Sequence, residues 1–278
     1  MDLNWLHSLL YGFISGVAEI LPVSAEAHQV LLLKFWGARG NMDLMNLMIH
    51  LSVFGALYYS AQSQLIRMRR ARALARVPKK KRKRPLDTRS LMDWSLLKTM
   101  LLPAILGVYL YQYARVLQQK LFWVALFLFI NGIILYVPQF LPGSNKDSRT
   151  LSRVEALLMG LGGTTSVLPG VSAVGSAISI GSVCGVEREF CLNMALMMNM
   201  AMTAGMAIYD VLALISGGIG ALSFGIVLRY LFSAGAAFGG TVLGVRIMRY
   251  LAKEHGYGFF SVYCWGLALF TFVLNLMA

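Results

Sequence analysis

Two stretches decide how this chain reads: Glu19-Ile-Leu-Pro-Val-Ser-Ala-Glu-Ala-His28 and Ser166-Val-Leu-Pro-Gly-Val-Ser-Ala-Val-Gly-Ser176. Each carries Leu-Pro, then one or two residues, then Ser-Ala, and each interrupts an otherwise apolar run. Residues 4–17 are apolar but short, Glu19 and Pro22 break them, and 25–36 resume. Around Pro169-Gly170 the pattern recurs, with apolar pieces at 154–166 and 174–186. None of the four pieces reaches the roughly 20 residues that cross a bilayer. The spacing therefore predicts two re-entrant helical hairpins, 4–36 and 154–186. Broken backbone at membrane depth is tolerated only where protein buries it or where it lines a wet cavity.

Outward from these breaks, the first half continues with full spans at 44–65, 95–114 and 121–140, with Pro103 as a kink in the second. A basic loop, 66–92, joins the first two spans. The segment 141–153, with Pro142-Gly143, reads as the boundary between halves. The second half repeats the plan with spans at 189–215, 222–248 and 257–277. The expected fold is an all-α polytopic membrane protein with two repeats, 1–140 and 154–278. Each is one re-entrant helical hairpin plus three transmembrane helices. Three crossings is an odd number, so the second half starts from the opposite face. That is an inverted-topology repeat, which places a site at the repeat interface.

Composition agrees: 58% of the 278 residues are hydrophobic and 13% charged, against about 25% charged in soluble domains. The runs lack the dyad alternation of a transmembrane β-barrel. The net charge of +13 raises the question of nucleic acid, but twelve of the 25 basic residues lie between Arg67 and Arg89. That reads as a cytoplasmic segment obeying the positive-inside rule and attracting anionic membrane lipid, with no nucleic-acid role. With this loop inside, Lys98, Lys146, Arg149, Arg153, Arg188, Arg246, Arg249 and Lys253 also fall inside, 20 of 25 basic residues in all. Lys34, Arg39, Arg115 and Lys120 fall outside, and so do both termini. The three cysteines, Cys184, Cys191 and Cys264, show no metal-ligand spacing and read as apolar fillers. Asp2 precedes the first apolar run, and no cleavable signal peptide is predicted.

Ionisable groups within a membrane are costly and mark function. Those at apparent membrane depth are Glu19, Glu26, His28, His50, Asp210 and Arg229. Ser24 and His28, four apart, share a helix face. Ser24 can cap the second half-helix, whose free amides suit a phosphate. His28 suits nucleophilic or acid/base chemistry, with Glu19 across the tip to orient or deprotonate it. The competing bland reading is a capping serine, a tying glutamate and a satisfied core histidine. In the second break Ser172 is the expected cap, Gly170 and Gly175 allow close approach of a ligand, and Ser176 adds a hydroxyl. Glu26 can be a second acid/base group or can occupy the anion site itself; the sequence leaves both open. Asp210, near the outer end of its span, is expected at the interface. Arg229 is expected to snorkel or to pair with a carboxylate.

These residues resemble a known family. Gly16-Val-Ala-Glu19-Ile-Leu-Pro-Val-Ser24-Ala-Glu-Ala-His28 is similar to the first signature of the undecaprenyl-pyrophosphate phosphatase family, the bacitracin-resistance type, and Leu168-Pro-Gly-Val-Ser172-Ala-Val-Gly175 to its second. Pro103, Gly107, Val186-Glu-Arg-Glu-Phe190 and Tyr263-Cys-Trp-Gly266 extend the likeness almost end to end. The resemblance implies a phosphohydrolase of the bacterial plasma membrane that removes phosphate from a polyprenyl diphosphate and recycles the carrier lipid of cell-wall synthesis. Glu19, Ser24 and His28 would be catalytic, and Ser172, Gly170, Gly175, Ser176 and Glu26 would bind substrate. The chain departs from the family at Ser15, where a first glutamate is expected, and at Ala173, where an arginine is expected. Losing that arginine removes a strong bidentate phosphate contact. A divalent cation, Mg or Ca, held by Glu19 and Glu26 could replace missing groups. The second hypothesis is a non-catalytic relative that binds or translocates polyprenyl phosphate lipids, and the third an unrelated secondary transporter of like architecture. Loss of phosphate release in His28→Ala would favour the first. The sequence leaves the oligomeric state open, a dimer included.

Overall fold

Polar side chains set where several helices begin. Asn4 accepts from the His7 amide at the start of α1 (Trp5–Ile20), and Ser24 accepts from the Ala27 amide to open α2 (Ala25–Phe35). The helix α3 (Asp43–Ala75) carries no side-chain cap, whereas Asp87 caps α4 (Thr88–Gln118). After α5 (Leu121–Tyr136) and a 3-10 turn (Val137–Phe140), Ser152 and Glu155 form a reciprocal capping box on α6 (Arg153–Thr164). Ser172 caps α7 (Ala173–Val183), and α8 (Arg188–Gly217), α9 (Phe224–Glu254) and α10 (Phe259–Met277) complete the chain. The computed structural model describes residues 3–38, 42–141, 145–217, 223–254 and 257–277. Arg39, Pro142-Gly143 and the expected start of the span at 222 lie outside them.

Among the described residues, six helices are long and apolar enough to cross a membrane: α3, α4, α5 with its 3-10 extension, α8, α9 and α10. Large apolar side chains such as Ile105, Leu269 and Phe270 are exposed on their outer faces. Exposed apolar belts on full-length spans fit a lipid environment and no aqueous one. The protein is a multi-pass membrane protein.

Helix α1 packs on α9, and α6 on α4; α3 packs on α9, and α8 on α4. Exchanging the halves turns each of these pairs into the other. The pairs α3–α8 and α5–α10 map onto themselves. The small-residue face of α1 explains the closest of these approaches. A side chain at Gly12 would lie 2.0 Å from the Ser233 carbonyl oxygen, and one at Gly16 2.2 Å from that of Ala237. Backbones this close gain dispersion contacts that lipid chains cannot supply.

Several helices overrun the expected spans at their polar ends. The helix α3 continues to Ala75 rather than 65, so Arg67, Arg69, Arg70 and Arg72 sit on a helix. The expected basic loop 66–92 shrinks to the segment between α3 and α4. The physical reason is that hydropathy marks where lipid ends, whereas Arg, Ala, Leu and Met continue a helix readily in water. Between the halves, the Lys146 amide donates to Gly185 O at 3.0 Å and the Glu187 amide to Lys146 O at 2.9 Å, pinning that connection beside the start of α8.

Candidate active site

Both breaks begin at a Leu-Pro pair. Proline removes an amide donor and pushes its predecessor to extended backbone, and Leu21 duly sits at φ −68°, ψ 146°. Ser24 follows at φ +67°, the only non-glycine residue with positive φ among those described. That conformation costs of order 1–3 kcal/mol and persists where the surroundings enforce it. Here the Ser24 hydroxyl oxygen accepts from two amides, Ala27 of its own helix at 3.4 Å and Gly170 of the other break at 3.1 Å.

The second break answers in kind. Ser172 Oγ accepts from the Gly175 amide at 3.2 Å and donates to Leu21 O at 3.4 Å. Asn131 of α5 joins both: its Nδ2 donates to Pro22 O at 2.9 Å, and its Oδ1 accepts from the Ser172 amide at 3.0 Å. Gly170, at φ +127°, lies against α5, where an added Cβ would come 2.6 Å from the Leu128 nitrogen. The two breaks therefore touch.

Beside them lies a cavity of about 30 Å³, walled by Glu19, Ser24, Glu26, Gln29, His50, Ser166 and Ser172 among others. That is room for about two water molecules at most. Ala25 and Ala173, the first residues of α2 and α7, also line it, so two helix N-termini border one small space. Glu19 Oε1 accepts from Asn199 Nδ2 of α8 at 3.1 Å. Both Glu26 oxygens are shut off from solvent without a well-formed hydrogen bond, although the Gln118 side chain approaches from α4. Gln29 Nε2 donates to Ser15 Oγ at 3.0 Å, filling the position where a further carboxylate was expected from the family signature.

His50 and Asp210 are a buried pair. Nδ1 of His50 lies 2.6 Å from Asp210 Oδ2, and the two residues are 8% and 1% exposed. Asp210 is thus not interfacial, as its place near a span end had suggested. Its neighbour α3 brings an imidazole to it, and burial with a hydrogen-bonding partner removes the need for water.

His28 departs from the expected arrangement. Its Nδ1 is 2.7 Å from Ser24 O, its Nε2 is 2.7 Å from Tyr263 Oη, and its ring stacks on Tyr263 at 5.9 Å. A carbonyl only accepts, so Nδ1 carries a proton and, in the neutral ring, Nε2 accepts from the tyrosine. Glu19 bonds Asn199 and does not bond His28. His28 lies against Tyr263 of α10, while Glu19 sits at the cavity. Gly175 was expected to admit a ligand; instead its face meets Pro22, with 2.7 Å from an added Cβ to the Pro22 Cβ. Ser176 is buried beside Thr165 Oγ1, 3.5 Å away, behind the cavity wall. Arg229 Nη1 donates to Leu3 O at 2.6 Å and its Nε to Gly225 O at 3.3 Å, and it forms no ion pair with a carboxylate among the described residues.

This pairing of two proline breaks around carboxylates can be set beside known proteins. The family described as bacitracin resistance protein BacA matches residues 8–270. The chain belongs to that family. Among its relatives are the undecaprenyl-diphosphatase of Methanobrevibacter smithii, 25% identical with 96% of each chain covered, and that of Streptococcus sanguinis, 26% identical over 94% of this chain and 92% of its own. The undecaprenyl-diphosphatase of Pelobacter propionicus is 28% identical over 78% of each. Within this BacA-family chain, Ala173 is buried at the start of α7, and no guanidinium stands there.

The residues present fit a hard divalent cation in kind. Mg²⁺ is commonly bound through one or two carboxylates plus waters and substrate phosphate, and Glu19 and Glu26 bring carboxylates to one cavity, those of Glu26 lacking good hydrogen bonds. No group of three or more His, Cys, Asp or Glu is so placed among the described residues that it could hold a metal ion by itself. The sequence reading missed Asn131, Asn199 and Gln29, because it counted ionisable groups and passed over amides. Buried amides in apolar spans were the signal that could have found them.

Proposed function

We propose that this BacA-family protein is an integral membrane phosphohydrolase that removes the terminal phosphate from undecaprenyl diphosphate. The observation that carries the reading is the cavity where two serine-capped helix breaks meet, bordered by two helix N-termini and two carboxylates. Helix N-termini suit phosphate, and Ser24 and Ser172 supply hydroxyls. The Ala25 and Ala173 ends of α2 and α7 take part of the work that an arginine would do. At about 30 Å³ the cavity is closed to a diphosphate, so its walls part when a headgroup enters. Glu19 and Glu26 would hold a divalent cation, which would neutralise charge on the diphosphate; without a cation the two carboxylates repel it. Glu19, kept in place by Asn199, then orients the attacking water.

The same reading takes the two short-helix pairs as re-entrant hairpins inserted from opposite faces. The exchange symmetry of helix packing supports it, since three spans per half require the related halves to be inverted. The basic residues from Arg67 to Arg89 lie in the cytoplasm against anionic lipid, and both termini lie outside the plasma membrane. The test is phosphate release from polyprenyl diphosphate by purified protein in detergent, with and without Mg²⁺ or Ca²⁺. Release that depends on Glu19 is expected. No release with any cation, alongside retained lipid-phosphate binding, would leave a binding or translocating protein instead.

A further inference from the structure

The cavity contains one histidine, and it is not the one in the break signature. His50 lines the wall, nine-tenths buried, and its Nδ1 faces Asp210 at 2.6 Å. A carboxylate only accepts, so this contact places the proton on Nδ1 and leaves the Nε2 lone pair of the neutral ring for another proton. An imidazole oriented from behind by a buried carboxylate is the arrangement that makes an effective base. His28 lacks this freedom, with both nitrogens engaged by Ser24 O and Tyr263.

We propose that His50, held by Asp210, is the general base of this site. The proposal rests on the hydrolytic reading above. In the step, a water oxygen bonds to the terminal phosphorus as the bond from that phosphorus to the bridging oxygen breaks. The bridging oxygen leaves with the electron pair as part of the lipid monophosphate. The water proton passes to His50 Nε2, and later to released phosphate, which restores the neutral ring. Asp210 touches no reacting atom; it is the positioning residue that stabilises the imidazolium.

Other charged and titratable groups face the pair: Glu19 of α1 acts on His50, and Tyr11 of α1, Tyr111 of α4 and Glu26 of α2 act on Asp210, with Arg115 of α4 over the Tyr209 ring of α8. On α9, Arg229 is engaged by carbonyls.

The experiment compares wild type, His50→Gln, Asp210→Asn and His28→Ala in phosphate release from a polyprenyl diphosphate. The rates give kcat and KM separately, and binding of a methylene-bridged polyprenyl diphosphonate is measured alongside. His50→Gln is expected to lower kcat by about 10²-fold or more and to keep KM and diphosphonate binding. Asp210→Asn lowers kcat by at least about tenfold with binding kept. Four results overturn the proposal. An active wild type with an unaffected His50→Gln removes this base while leaving hydrolysis standing. Loss of diphosphonate binding together with activity in both His50→Gln and Asp210→Asn makes the pair structural. A fall in kcat with binding kept in His28→Ala, and none in His50→Gln, instead assigns the base to His28. A wild type that releases no phosphate removes the hydrolytic reading and this base together.

Discussion

The Ser24 hydroxyl accepts a hydrogen bond from the Gly170 amide at 3.1 Å, joining positions 146 apart in the chain. Its own backbone is bent to φ +67° to do so. One side chain thus starts a helix, carries local strain and links the two halves. Ser24→Ala leaves the buried Gly170 amide without its acceptor and keeps the strain. A loss of about 1–2 kcal/mol is expected, read as a lower thermal midpoint in detergent. Ser24→Gly is expected to lose less, because glycine adopts positive φ freely.

Gly175 separates the breaks by no more than a hydrogen atom. A methyl there would meet Pro22 Cβ at 2.7 Å and Leu135 Cδ2 at 3.1 Å. Gly175→Ala is therefore expected to cost about 1–3 kcal/mol and to reduce phosphate release at temperatures where the fold persists. An unchanged thermal midpoint would show that the breaks do not pack as described.

Asn131 bonds one atom of each break, Pro22 O and the Ser172 amide. Asn131→Leu fills similar volume but leaves both groups unpaired. The expected cost is about 1–3 kcal/mol, near the upper range for hydrogen bonds in membrane proteins. Amide exchange at Ser172 is expected to speed up in this variant, and an unaltered rate would count against the clamp.

Glu26 brings shielded oxygens to the cavity wall. Glu26→Gln is expected to raise the Mg²⁺ or Ca²⁺ concentration needed for half-maximal phosphate release by about tenfold or more, equivalent to losing one charged ligand. The same half-maximal concentration in both proteins would place the cation elsewhere.

Away from the membrane-spanning segments, Lys146 beside Glu155 and the Ser152 amide hold the Glu155 carboxyl below its usual value of 4.5. A carboxyl whose value is lowered on folding contributes stability above its unfolded value and loses it as pH falls through the folded one. Glu155→Gln is expected to lower the thermal midpoint at neutral pH. The gap from wild type closes in acid below that range. A gap that stays constant with pH would assign the effect to the capping geometry alone.

The helical character and the crossing segments were legible because lipid demands long apolar runs and backbone that satisfies itself. Pro22 and Pro169 marked the breaks, and Ser24 and Ser172 their caps, through local chemistry. The overrun of α3 to Ala75 was not legible, since the same arginines that end a hydrophobic window extend a helix. The direction of His28 was not legible either. Its spacing from Ser24 gives a shared face, but Tyr263, far along the chain on α10, decides what that face meets.

The sequence by itself determined the class of the protein, the number of long spans, the two interrupted segments and the resemblance to its family. All of these follow from short-range hydropathy, proline chemistry and motif spacing. Only the tertiary structure decided which polar groups share the cavity. It brought His50 to Asp210 and Asn131 to both breaks, and it took His28 away from Glu19. A buried polar atom must find a partner wherever the packing of distant helices supplies one, and no local pattern encodes that choice.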